Sequence, residues 1–167
     1  MAISIRRVAA DEGHQVKAVR LNALRADPVS FGESLAKEAA FSDNGWAEWA
    51  SGDAEGEEMA TMLALVGGKA VGLVGAYRDE EDSSFYHVIA MWVTPEYRRR
   101  GLGRRLLLAI EDWIGSAGGT TVQLDVADAA EEARSLYDAS GYEPDGQQSP
   151  SPHTPGVIHV SLRKRLA

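Results

Sequence analysis

Met91-Trp92-Val93-Thr94-Pro95-Glu96-Tyr97-Arg98-Arg99-Arg100-Gly101-Leu102-Gly103 is the stretch on which the reading of this chain turns. It runs from an apolar strand, past a proline, into a loop holding three arginines and two glycines. Leu102, Leu106, Ile110 and Trp113 then recur at helical spacing, which predicts a helix with one buried stripe. A helix N-terminus presents backbone N–H groups that lack intrahelical partners, together with the positive end of the helix dipole. Gly101 and Gly103 leave room for an anion to approach the backbone, and Arg98, Arg99, Arg100 and Arg104 add side-chain charge. Strand, proline, basic-glycine loop and helix in that order read as a holder of phosphate groups. The run lacks the G-x-x-x-x-G-K-[ST] spacing of a P-loop and the third glycine of the dinucleotide fingerprint. By residue type alone, a solvated basic patch stays open as the other reading.

Upstream, Ile3-Ser4-Ile5-Arg6 alternates as a half-buried first strand does. Asp11 is placed to cap a helix through Val16, Val19 and Ala23, which Asp27-Pro28 should end. Glu33 to Phe41 and Trp46 to Ala50 suit short helices, and Ser51 to Gly56 an exposed connection. Thr61 to Val66 and Ala70 to Arg78 are apolar runs joined at Gly67-Gly68, a hairpin signal. Ser84 to Val93 follows as a strand apolar on both faces, hence central in its sheet, with Phe85, His87, Ile89, Met91 and Val93 expected on one face. Downstream, Gly118-Gly119 stops the helix and Thr121 to Val126 is a strand. Asp128 and Glu131 resemble a capping box before a helix lined by Ala129, Ala133, Leu136 and Tyr137. Pro144 to Pro155 reads as a mobile loop and Val157 to Leu162 as the last strand. The order β-α-α-β-β-β-α-β-α-β describes one α/β domain over residues 1–167.

The 167 residues are enough for a real core, and 44% hydrophobic with 25% charged residues is ordinary for a soluble protein. The N-terminus has no uninterrupted apolar segment of a secretory signal, and no run reaches the length of a membrane span, so a cytoplasmic protein is expected. Without cysteine there are no disulfides, thiol nucleophiles or thiolate metal sites. His14, His153 and His159 have no carboxylate partners at ligand spacing, so no metal is expected. The net charge of -8 speaks against nucleic acid as a partner, despite the basic run from Arg98 to Arg105, and mildly favours a cationic substrate.

On these residues the chain resembles the GNAT family of N-acetyltransferases. Arg98-Arg99-Arg100-Gly101-Leu102-Gly103 matches the family's pyrophosphate signature R/Q-x-x-G-x-G/A, and Met91 to Tyr97 is similar to its fourth strand and exit. Ala133-Arg134-Ser135-Leu136-Tyr137-Asp138-Ala139-Ser140-Gly141-Tyr142 is similar to the late A-x-x-L-Y-x-x-x-G-[FY] helix. The resemblance extends from Ile3 to Leu162. It implies a mixed, mostly antiparallel sheet flanked by helices, with the fourth and fifth strands splayed around coenzyme A.

The resemblance also implies an activity: an amine attacks the acetyl-CoA thioester directly in a ternary complex. Met91, Trp92 and Val93 would pair with the pantetheine arm, the Val93 N–H would face the developing oxyanion, and Arg98 to Arg104 would take the pyrophosphate. Tyr137 falls where the family keeps a tyrosine near the sulfur, as general acid; a packed aromatic is the alternative. Where carboxylate-using members carry a glutamate, this chain has His87, a candidate base, with Glu96 and Asp125 behind it; the alternative is a histidine satisfied by a neighbour. Ala130 stands where an asparagine is common, removing one contact to the cofactor arm. Trp46 and Trp49 are either helix-packing anchors or a cation–π lining for the amine. Small-molecule and protein amines both remain open as acceptors, as do monomer and homodimer. The rival from another class is an acyl-CoA-binding module without catalysis.

Overall fold

The computed structural model describes residues 2–31 and 34–167. A first strand, β1 (Ile3–Arg7), is followed by α1 (Gly13–Ala26), α2 (Leu35–Ala39) and α3 (Asp43–Ala54). The hairpin strands β2 (Met59–Val66) and β3 (Lys69–Arg78) lead to β4 (Phe85–Val93), and α4 (Leu102–Ser116) follows the basic loop. β5 (Thr121–Ala127), α5 (Glu131–Ala139), β6 (Glu143–Pro150) and β7 (Ile158–Arg165) complete the chain. The strands form one sheet in the order β1-β2-β3-β4-β5-β7-β6, with β4 central. Its neighbours run antiparallel, except that β4 and β5 are parallel. Gly67 and Gly68 turn the β2–β3 hairpin at φ 57° and 79°, the left-handed pair that a two-residue turn requires.

Each sheet face buries its own core. α1 and α3 cover one face, where Val16, Val19, Leu24 and Trp46 meet Leu63, Leu73 and Trp92. α4 and α5 cover the other, where Leu102, Leu106, Ile110, Ile114 and Tyr137 meet Tyr86, Val88, Val122 and Leu124. Full burial of such side chains contributes about 1.5–3 kcal/mol each. Trp46 and Trp49 stack at 5.5 Å, and Trp49 Nε1 donates to Thr61 Oγ1, which makes both packing anchors of α3. α1 and α2 are joined by a buried pair, Arg20 Nε to Glu38 Oε1 at 2.8 Å and Nη2 to Oε2 at 3.0 Å. Among the described residues no helix is long and apolar enough to cross a membrane.

Several local expectations are corrected. Glu143 to Pro150 is a strand on the sheet edge, not a loop; prolines are tolerated at an edge, and the register breaks between Pro144 and Gln148 around Gly146 at φ 88°. α3 continues through Ala54, because Asp53 is buried and accepts the Thr61 hydroxyl at 2.6 Å. Glu12, not Asp11, stands at the start of α1, accepting the Ala9 N–H at 2.8 Å. Asp128 does not cap α5, which begins after Ala130; it pairs with Arg134 at 2.6 Å. The helix expected from Glu33 begins at Leu35, and Glu33 itself lies outside the described residues.

Candidate active site

A wedge opens between β4 and β5. The strands pair only at Phe85 with Thr121, Tyr86 with Val122 and His87 with Gln123. Beyond that rung they part, leaving a cleft of about 880 Å³ between Val88–Val93 and Leu124–Ala127. The cause is in β4. Against β3, Gly75 pairs with Ile89 and Leu73 with Trp92, so one residue of β3 faces two of β4, with Ala90 at φ 60°. Such a bulge bends a strand and adds twist. It also rephases the side chains. Tyr86, Val88, Met91 and Val93 pack toward α4, while Ala90 and Trp92 pack toward α1 and α3. His87, two residues before Ile89, therefore lies on the face opposite to Met91 and Val93. The single-face alternation expected from the sequence fails at Ala90.

The open edge of β4 supplies polar backbone. Thr94 N–H donates to Val71 O of β3 at 2.8 Å, so strand alternation turns the Val93 N–H the other way, into the cleft. Pro95–Tyr97 forms a single 3-10 turn, and the loop reaches α4 through Gly101 at φ 78°, a left-handed position at the helix N-cap. The first intrahelical bond at that end runs from Arg105 N–H to Gly101 O, which leaves the preceding N–H groups of the first turn open. Gly103 also lies close against α5. A Cβ there would sit 3.2 Å from Leu136 Cδ2, so glycine lets α5 close the far wall.

The four arginines part company. Arg99 and Arg104 line the cleft with Gly101, Leu102 and Gly103. Arg99 is exposed and 3.2 Å from Glu132. Arg100 lies 5.3 Å over the Tyr97 ring, outside the cleft lining. Arg98 reaches the cleft only as it turns back, donating from Nε to Val93 O at 2.8 Å and from Nη2 to Asp27 Oδ2 at 2.9 Å. Sequence reasoning missed Asp27: Asp27-Pro28 carries a clear helix-stop signal that conceals any other role.

Tyr137 projects from α5 into the same cleft, with its ring 5.9 Å edge-on from Tyr142. Burial pushes its hydroxyl well above the ordinary tyrosine range, so it stays protonated at neutral pH. His87 stands on the other face, stacked at 4.8 Å on Tyr77 with its Nε2 2.8 Å from Asp79 Oδ2. That hydrogen bond, with backbone donors from Glu81 and Asp82, holds the Asp79 carboxyl below its usual range. With Asp79 ionised, the neutral imidazole donates from Nε2 and keeps Nδ1 as an acceptor. Asp125, exposed on the same face, lines the cleft and accepts the Ser161 hydroxyl at 2.6 Å. His87 and Glu96 are both outside the lining, His87 one residue short of its edge at Val88. Among the described residues no group of three or more His, Asp or Glu side chains is arranged to hold a metal ion.

Comparison with known proteins agrees with this geometry. The Acetyltransferase (GNAT) family model matches residues 21–142, and the chain belongs to that family. An uncharacterised N-acetyltransferase of Bacillus subtilis, YhfO, is 32% identical over 94 residues, which cover 54% of this chain and 63% of that protein. The chain thus spans less than two thirds of that relative's length. The crystal structure of a GNAT-family acetyltransferase from Streptococcus pneumoniae superposes with a TM-score of 0.82 at 20% identity, over 99% of this chain and 100% of the other. The Salmonella typhimurium protein yncA, solved with acetyl-CoA, gives 0.82 at 12% identity, over 100% and 95% of the two chains. At these identities the likeness is one of fold.

Proposed function

We propose that this chain moves an acetyl group from acetyl-CoA to a primary amine by direct attack in a ternary complex. The observation that carries the reading is the β4–β5 wedge, opened by the bulge at Ala90 and closed at one end by the Arg99–Arg104 loop. Backbone N–H groups of the α4 first turn, with Arg99 and Arg104, suit the pyrophosphate. The unpaired edge at Met91–Val93 suits the amide-rich pantetheine arm, and the Val93 N–H faces the position where the thioester oxygen gains charge. The amine arrives from the opposite face, at Ile89 and Asp125. His87 accepts its proton at Nδ1, directly or through water; the C–N bond forms, the C–S bond breaks, and Tyr137 protonates the departing thiolate.

The acceptor side favours a cation. Tyr77 and Ile89 are exposed large hydrophobic side chains on that face, and Asp79, Glu80 and Asp125 lie close enough to push the Tyr77 hydroxyl up, after the larger effect of its own burial. Carboxylates beside an aromatic surface attract an ammonium group.

The test is coenzyme A release across a panel of amines, with His87→Ala and Tyr137→Phe alongside. Each variant should lower kcat by about 10²-fold or more on the best acceptor while coenzyme A affinity stays within about twofold. Full activity in both variants defeats these proton-transfer roles. Tight coenzyme A binding with no thiol release for any amine favours the non-catalytic binding module instead.

A further inference from the structure

Four contacts from three separate segments converge on Asp27 and Arg98. Asp27 Oδ2 accepts from Trp92 Nε1 at 2.7 Å and from Arg98 Nη2 at 2.9 Å. Arg98 Nε donates to Val93 O at 2.8 Å, and its guanidinium lies 5.8 Å over the Trp92 ring. Asp27 ends α1 and begins the 3-10 turn Pro28–Ser30, so the cluster ties the wall formed by Ser30 and Phe31 to β4 and to the basic loop.

We propose that Asp27 is a positioning residue for the coenzyme A loop, and that through it Arg98 braces the loop instead of serving as a phosphate ligand. The inference rests on the coenzyme A reading above and goes beyond it in dividing the arginines by task. A guanidinium has a planar fork, and here two of its directions are committed, one to a backbone carbonyl and one to a carboxylate. Asp27 also offsets the Arg98 charge at short range, which weakens its pull on a phosphate. The brace occupies the Val93 carbonyl on the open edge of β4 and leaves the Val93 N–H free. It fixes the exit of β4, and with it the distance from the Val93 N–H to the first turn of α4. Pyrophosphate binding then falls to the backbone of Gly101–Gly103, with Arg99 and Arg104.

The two roles predict opposite signs. Coenzyme A affinity is measured by calorimetry for the unsubstituted protein, Asp27→Asn, Arg98→Ala and the double variant, with acceptor KM alongside. A brace requires each single variant to weaken coenzyme A by about tenfold, and the double variant to lose no more than the worse single, because both substitutions break one unit. A phosphate ligand requires Arg98→Ala to weaken binding while Asp27→Asn leaves it unchanged or tightens it, since Arg98 is then released. That pattern, or losses that add in the double variant, overturns the proposal. The nuclear magnetic resonance signal of the Arg98 Nε–H provides a readout on unsubstituted protein. It should shift little when coenzyme A is added, and a large shift overturns the brace. Failure of the unsubstituted protein to bind coenzyme A overturns the cofactor reading and the brace with it.

Discussion

Ala90 holds a φ of 60°, a left-handed conformation that costs an L-residue about 1–2 kcal/mol. The strain sits where β4 leaves β5, so one backbone position both opens the cleft and puts His87 on the face away from Met91. Alanine tolerates the position because its side chain is a single methyl group. Ala90→Gly should therefore keep stability within about 1 kcal/mol, whereas Ala90→Val should lose about 1–2 kcal/mol more, since a β-branched residue is a severe outlier at positive φ. Urea unfolding of the two variants measures the difference; equal stabilities would show that the bulge moves freely along β4. Nothing between His87 and Val93 announces this bulge in the sequence. Both faces of the strand are apolar, so alternation has no phase to lose.

At the scale of elements, the first strand and first helix are locked by Arg6 and Glu12. The guanidinium donates to both carboxylate oxygens, at 2.7 and 2.8 Å. That bond, helped by the Ala9 N–H, brings the Glu12 carboxyl down to about 2. A carboxyl depressed in the folded state adds stability that is complete above its unfolded value, near 4.5, and is lost as pH falls through about 2. Glu12→Gln should then lower the melting temperature by about 2–4 °C at pH 6, with the two proteins converging toward pH 2. A deficit that persists at pH 2 would mean that packing, not charge, holds the join. The elements themselves were mostly legible, since β2, β3 and α4 carry clean apolar patterns and glycine stops. β6 was not, because Pro, Ser, Gly and Gln compose an edge strand and a loop alike; its pairing with β7 is a tertiary fact.

For the molecule as a whole, net charge and cleft polarity combine. The chain carries -8, yet the cleft has a basic loop at one end and Asp125 in its lining, with Asp79 beyond it on the Asp125 face of the sheet. On the proposed function, acetyl-CoA meets the basic loop and the acceptor meets the acidic face. Raising salt from about 0.05 M to about 0.5 M should raise KM several-fold for a dicationic acceptor, through screening, and little for an acceptor whose only charge is the reacting amine. Initial-rate measurements at saturating acetyl-CoA decide it, and equal salt responses would remove the acidic face from acceptor recognition.

The sequence by itself determined the segment proposed to hold the cofactor. A strand, a glycine-bearing basic loop and an amphipathic helix adjoin along the chain, so their local geometry, with open N–H groups at the helix start, follows from neighbouring residues alone. Gly101 shows this at φ 78°, where few other residues fit. Only the tertiary structure decided how the arginines divide and where His87 and Tyr137, the proposed proton-handling groups, stand. Arg98 meets Asp27 across 71 positions of sequence, and His87 faces away from Met91 because β4 carries one extra residue opposite β3. Contacts made across the sheet depend on register and bulges, which composition and periodicity do not encode.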